Sequence, residues 1–239
     1  MIQTTVTLVC TKCGSAHISK NGFNRYGKQQ FRCKACGKSG VLNPSVRYTP
    51  AQRAQILASY RERPSMRGVQ RLYGVSRPTL ASWLKKKAQS IQLGETLVAA
   101  QPEDVLELDE VWSFVYCLQN KQWLWTALCR RTRQIVAFVI GDHSARTCAK
   151  LWRKIPEDYK HCHTFSDFWK AYAQVFPQET HRSVGKESGQ TNHMERWNNT
   201  LRQRQARYVR KTLSFSKRER FHHLVTKWFI AEYNLERII

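Results

Sequence analysis

Residues 105–115 read VLELDEVWSFV. The run alternates, and Val105, Glu107, Asp109 and Val111 fall on one side of an ideal strand. Glu110 points to the opposite face. A carboxylate in such a run is costly to bury unless something pairs with it, so Asp109 asks for a partner. Two apolar runs follow, QWLWTALCRR (122–131) and QIVAFVIGD (134–142), parted by the turn RTRQ. Ser144 can cap a helix whose inner face is Cys148, Leu151, Trp152 and Ile155. HCHTFSD (161–167) reads as a fourth strand, and FWKAYAQVFP (168–177) as a short helix stopped by Pro177. Three meandering strands, a crossover helix and a further strand predict a mixed α/β sheet with helices on its faces.

The next stretch, NHMERWNNTLR (192–202), reads as a helix. Glu195, Asn198, Asn199 and Arg202 stand at i, i+3, i+4 and i+7, on one face. Met194, Trp197, Leu201 and Tyr208 form a separate apolar stripe. Ser216 with Glu219 has the form of a capping box. It precedes an amphipathic helix built on Phe221, Leu224, Val225, Trp228 and Phe229.

Upstream, CTKCGS and CKACGK supply Cys10, Cys13, Cys33 and Cys36 as two Cys-x-x-Cys-Gly turns. Four thiolates at this spacing match a tetrahedral structural Zn²⁺ site, and a strand between them predicts a zinc ribbon over residues 1–46. His17 is taken as a surface residue. Residues 47–90 read as a compact helical DNA-binding unit. Thr49-Pro50 starts one helix, and Ser65 starts a second with Val69 and Leu72 inside. Gly74 breaks the second, and Pro78 lies near the start of a third. This is the helix-turn-helix pattern. Arg77, Thr79 and Ser82 are placed to meet bases, and Lys85, Lys86 and Lys87 to meet phosphate. Residues 91–102 read as a linker, and residues 103–239 as the remaining domain.

The chain has 239 residues and a formal net charge of +23. Its basic excess is uneven. Residues 1–94 carry 17 Lys and Arg against one acid, residues 95–190 balance, and residues 191–239 carry 11 bases against 4 acids. A neutral middle between basic ends points to a polyanion held around an acidic site, and to nucleic acid above all. The basic stretches lack a long apolar partner face, which argues against a membrane partner. No signal peptide and no long apolar run is evident, so a cytoplasmic, nucleoid-associated protein is expected. Cys117, Cys129, Cys148 and Cys162 lie in apolar runs and are expected in the core. His161 and His163 share a strand face but are too few for a metal site. Trp112 and Trp169 suit packing better than base stacking.

Asp109 in its strand, Asp167 at a strand end and Glu195 on its helix come from three elements. Together they could hold Mg²⁺ (or Mn²⁺), a hard cation that takes oxygen ligands and leaves positions open for water and phosphate. Each acid also has a local alternative. Glu110 could replace Asp109, Asp167 could cap the next helix, and Glu195 could pair with an Asn192 cap.

The four stretches CTKCGS with CKACGK, LELDEVWSFV, FSDFWKAY and HMERWNNTLRQR together resemble a transposase of the bacterial insertion sequence one family, over essentially the whole chain. The resemblance implies a DDE transposase with a ribonuclease-H-like catalytic core. It assigns the triad to Asp109, Asp167 and Glu195, and gives Arg202 the place of the basic residue seven positions after the Glu. Asn198 and Asn199 would hold the DNA end beside it. The N-terminal half alone would bind element ends and repress, and the fused product would be the transposase.

The expected function is therefore binding of the terminal inverted repeats of an insertion sequence in double-stranded DNA, with metal-dependent cleavage and strand transfer. Synapsis of two ends requires at least a dimer on DNA. Two other readings remain: a zinc-dependent DNA-binding repressor without catalysis, and a structure-specific nuclease of the same fold.

Overall fold

The computed structural model describes residues 7–41, 48–62 and 65–238. The chain divides into two compact units, Met1–Arg53 and Ala54–Ile239. The expected boundary at residues 46–47 lies outside the described residues.

The first unit is a small antiparallel sheet of β1 (Ile18–Phe23), β2 (Gln29–Cys33) and β3 (Ser39–Val41), in that order. Each Cys-x-x-Cys-Gly turn closes the same way. The Gly14 amide donates to the Cys10 carbonyl at 2.8 Å, and the Gly37 amide to the Cys33 carbonyl at 2.9 Å. Both glycines take φ of +71°, a left-handed conformation that side chains resist.

Three helices follow: α1 (Pro50–Arg61), which spans the division, then α2 (Met66–Tyr73) and α3 (Arg77–Ser90) in the second unit. Ser65 caps α2 by accepting from the Gly68 amide, and left-handed Gly74 ends it. Ser76 caps α3 by accepting from the Thr79 amide. Val69, Leu80 and Leu84 are fully enclosed, but Leu72, expected inside, is 71% exposed. It falls on the outer face of an eight-residue helix too short to bury two sides.

A five-stranded sheet follows: β4 (Val105–Phe114), β5 (Lys121–Cys129), β6 (Ile135–Gly141), β7 (His163–Ser166) and β8 (His181–Ser183), in the spatial order β6-β5-β4-β7-β8. β4, β5 and β6 run antiparallel, and β7 and β8 join parallel to β4 and to each other. α4 (Ala145–Lys154) makes the crossover from β6 to β7, capped by Ser144. α5 (Lys170–Val175), α6 (Asn192–Arg204) and α7 (Glu219–Leu235) complete the unit.

Two cores sandwich the sheet. One joins Leu106, Leu108, Trp125 and Ala127 to Cys148 and Leu151 of α4 and Tyr172 of α5. The other joins Val111, Leu124 and Leu128 to Met194, Trp197 and Leu201 of α6 and Phe229 of α7. Burial on both faces explains why β5 and β6 read as nearly unbroken apolar runs. Cys129, Cys148 and Cys162 are buried as expected, whereas Cys117 is exposed because it sits in the β4–β5 hairpin turn.

The helices α1–α3 pack on α7 within this unit. The Tyr60 ring stacks on Trp228, and the Tyr60 hydroxyl accepts from Arg207 Nη2 at 2.8 Å. Residues 91–102, read as a linker, are tied down. Thr96 is buried, its carbonyl accepts from Gln134 Nε2 at 2.8 Å, and its hydroxyl accepts from Asn234 Nδ2 at 3.0 Å. The expected capping box at α7 is absent. Ser216 instead forms a parallel bridge with Val115 and accepts from Arg207 Nη1 at 2.6 Å, while Glu219 accepts from Asn120 at 3.2 Å. Pairing with the end of β4 outcompetes the local cap. Among the described residues no helix is long and apolar enough to cross a membrane.

Candidate active site

Alternation along β4 sorts its acids. Glu107 and Asp109 face α6, and Glu110 faces α5. Glu107 is wholly buried. Its carboxylate accepts from Arg130 Nε at 2.9 Å, from the His193 amide at 3.0 Å and from the Met194 amide at 2.9 Å, and it pairs with His193 Nδ1 at 2.7 Å. The two amides belong to the first turn of α6, where backbone donors lack helical partners and the helix dipole favours a negative charge. Glu107 thus anchors the helix that carries Glu195, two residues from its own contact.

Asp109 accepts from Asn198 Nδ2 at 2.5 Å and from the Glu110 amide at 2.8 Å. Burial, then the nearby charges of Glu110 and Asp167, push its carboxyl up to about 7. Asp167 directly follows β7, and its carboxylate accepts from the Trp169 amide at 3.0 Å in a local turn. α5 itself starts without a side-chain cap. Glu195 does not cap α6 either, because the cap residue is Thr191 and no side chain closes that end.

Asp109, Asp167, Glu195, Asn198, Asn199 and Arg202 line one cleft of about 650 Å³. Asp109 and Asp167 place carboxylate oxygens within 4.8 Å of each other and of Glu110. Glu195 lines the cleft without joining that tight group. Glu110 is already committed, since its oxygens pair with His143 Nε2 at 2.8 Å and accept from the Tyr172 hydroxyl at 2.6 Å. Glu195 and Arg202 have no hydrogen-bond or ion-pair partner among the described residues and face the cleft free. Asn198, expected to reach DNA, is only 3% exposed and is spent on Asp109, while Asn199 is exposed. The all-carboxylate donor set suits a hard divalent cation such as Mg²⁺.

The profile of the family described as IS1 transposase matches residues 104–235. The chain belongs to the IS1 transposase family. It is 34% identical over 129 residues to the insertion element iso-IS1n protein InsB of Shigella dysenteriae, covering 54% of this chain and 95% of that protein. It is 32% identical over 119 residues to the insertion element IS1 4 protein InsB of Escherichia coli strain K12, covering 50% of this chain and 69% of that one. It is 33% identical over 119 residues to the insertion element IS1 protein InsB of Shigella flexneri, covering 50% and 88%. The IS1 transposase match opens one residue before β4 and closes on the last residue of α7, so it contains every residue of the cleft. Cys10, Cys13, Cys33, Cys36 and α1–α3 lie outside it.

In the first unit the four cysteines place their sulfurs within 4.8 Å of one another. Cys10 and Cys36 Sγ stand 3.6 Å apart, as do Cys13 and Cys33 Sγ. Tetrahedral Zn–S bonds of about 2.3 Å set sulfurs about 3.8 Å apart, so the cage fits zinc. The Lys12 amide, donating to Cys10 Sγ, pulls that thiol down to about 6 and favours the thiolate.

On α3, Arg77, Ser82, Lys85 and Lys86 are exposed. Thr79 is half-buried and its hydroxyl meets that of Ser76 at 2.8 Å. Lys87 pairs with Glu232 at 3.4 Å. Arg207 is buried against Tyr60 and Ser216, and Arg204 pairs with Glu62 and Glu236.

Sequence reasoning did not find the anchoring role of Glu107, nor the His143 stack. That ring lies between Trp123 at 4.0 Å and Trp169 at 4.2 Å, beside Glu110. The signal for Glu107 was present: it shares the Asp109 face and is flanked by leucines.

Proposed function

We propose that this IS1-family protein is a DDE transposase that binds the terminal inverted repeats of its element and performs metal-dependent cleavage and strand transfer. One observation carries the reading. Asp109, Asp167 and Glu195, from three different elements, line one cleft with Arg202, and among the described residues the Glu195 and Arg202 side chains have no hydrogen-bond or ion-pair partner. The strand order β6-β5-β4-β7-β8, antiparallel then parallel, supports a ribonuclease-H-like core.

In this reading Asp109, Asp167 and Glu195 hold Mg²⁺ or Mn²⁺. The cation, when bound, supplies charge neutralisation at the phosphoryl oxygens and lowers the pKa of the attacking hydroxyl or water. Asn198 fixes the rotamer of Asp109. Arg202 and Asn199 hold the phosphates of the DNA end beside the acids. In the first reaction a water oxygen bonds to phosphorus and the 3′ oxygen leaves, taking a proton. In the second that 3′-OH attacks a target phosphodiester and displaces its 3′ oxygen. Both are phosphoryl transfers in one site, without a covalent protein intermediate.

Residues 1–46 act as a structural zinc ribbon, 47–90 as a helix-turn-helix reader, 91–102 as the connection and 103–239 as the catalytic domain. Arg77, Thr79 and Ser82 read base edges, while Lys85, Lys86 and Lys87 meet phosphate. Two ends must be held together, so the protein works as at least a dimer on DNA, in the cytoplasm at the nucleoid. The test is strand transfer with a labelled end duplex and Mg²⁺, comparing wild type with Glu195→Gln. A variant that binds DNA but does not join it supports the triad. A variant that joins as well as wild type removes Glu195 from the site.

A further inference from the structure

Beyond the carboxylate cleft the second unit carries an apolar groove of about 780 Å³. Its walls are the end of β4, the β4–β5 hairpin turn and the chain from Arg210 to Phe215. The bridge between Val115 and Ser216, with the Tyr116 amide donating to the Ser216 carbonyl at 2.8 Å, holds these segments side by side. Trp112 and Phe215, both half-buried, form an aromatic floor joined beneath by the buried Phe114, with ring centroids 5.6 and 5.1 Å apart in succession. Two rim residues reach into solvent: Tyr116 is 68% exposed and Leu213 95%. Large apolar side chains so exposed mark an interaction surface.

Three features decide what the groove receives. First, its charged lining is cationic: Arg210 and Lys211 are there, and no acid is. Lys217 adds a third cation, its Nζ 3.9 Å from the Phe215 ring centroid and 6.0 Å from that of Tyr116. Second, Arg210 lines both this groove and the cleft of Asp109 and Glu195, so the two surfaces are continuous. Third, Tyr116 and Lys211 hold positive φ, +69° and +55°, a conformation that non-glycine residues rarely take. Aromatic faces interleaved with cations are how proteins hold unpaired nucleotides, bases on rings and phosphates on ammonium or guanidinium groups. An intact duplex hides its base faces and would leave the rings idle.

We propose that this groove binds unpaired nucleobases of the DNA strand that enters the carboxylate cleft. The proposal rests on the transposase reading of that cleft and adds a second binding site to it. A frayed or displaced nucleotide next to the reacting phosphate stacks on the aromatic floor, and Arg210 bridges its phosphate to the active site. Sequence preference is weak there, because every base offers a flat face.

The test uses the full zinc-loaded chain and two probes, a blunt duplex and the same duplex with a short single-stranded overhang bearing 2-aminopurine. Tyr116→Asn removes the ring while keeping a residue that tolerates the left-handed backbone, and Tyr116→Phe retains the ring. Wild type and Tyr116→Phe should quench the 2-aminopurine on binding. Tyr116→Asn should lose the quench and on the order of tenfold in affinity for the overhang duplex, with blunt-duplex affinity unchanged. Leu213→Ser serves as an independent rim variant and should act in the same direction. Equal losses on both probes, or a bound overhang as bright as the free one, overturn the proposal. So does a Tyr116→Asn protein that changes oligomeric state at constant DNA affinity, which would make the groove a contact between copies. Retained joining by Glu195→Gln would instead sink the catalytic assignment and leave the stacking readout untouched.

Discussion

Asp109 shows how one buried position links packing to chemistry. Its carboxyl is pushed up to about 7, chiefly by burial and then by Glu110 and Asp167. The folded protein therefore keeps a proton that the unfolded chain has released between about pH 4 and pH 7. Across that window this group's contribution to stability falls as pH rises. Cation binding needs the charged form, so Mg²⁺ affinity should rise through the same window and release a proton. The Asn198 amide favours the charged form. Asn198→Ala should move the acid limb of Mg²⁺-dependent nicking to higher pH, as read from a pH–rate profile. An unmoved limb would detach Asn198 from Asp109. Glu107 acts differently, since it touches the start of α6 and not the cleft. Glu107→Gln breaks a buried charge pair with Arg130 and should cost about 3 kcal/mol or more in denaturant unfolding. It should also cut catalysis beyond its effect on duplex binding, because Glu195 loses its footing. A variant as stable and active as wild type would show that α6 seats itself.

At the level of elements, legibility depended on whether the local pattern and the tertiary environment agreed. β4 was readable because its alternation sorts side chains between two cores, Leu106 and Leu108 to one and Val111 to the other, and α4 because Ser144 caps it as its sequence suggests. The cysteine cage was readable because its geometry is set within two short turns. Failures came where distant chain competed. Ser216 had the form of a cap, but the edge of β4 claimed it. Arg207 stands in a basic stretch of the chain, yet Tyr60, 147 residues away, encloses it. Asn198 shared the face of Glu195, and only the position of β4 shows that this face closes on Asp109 at that depth. The same contrast bears on α3. Lys85 and Lys86 are free, while Lys87 is held by Glu232. Lys85→Ala and Lys86→Ala should each lower the slope of log affinity against log salt by about one. Lys87→Ala should lower it less, and equal slopes for all three would mean that the Glu232 pair opens on DNA.

For the whole molecule, the division at Arg53 separates a small unit built around a four-cysteine cage from one built around a hydrophobic core. The first unit has little apolar interior beyond its cysteines, and units so small generally need a metal. Chelation should unfold residues 7–41 and leave the melting of the sheet unit near its original temperature, as followed by tryptophan fluorescence, since all eight tryptophans lie beyond residue 80. A single transition lost with the metal would contradict this. The tied-down segment at Thr96 and the Tyr60–Trp228 stack have one more implication. They make α3 and the carboxylate cleft parts of one solid piece, so in the transposase proposed above the two would act together as a caliper. On that proposal, the bases held by α3 and the bond opened in the cleft would be separated by a length fixed in protein. Each base pair inserted between them shifts the scissile phosphate by about 3.4 Å along the duplex and turns it around the axis. The proposed transposase would then define the end of its element by measured distance from the bound sequence as much as by the letters at the cut.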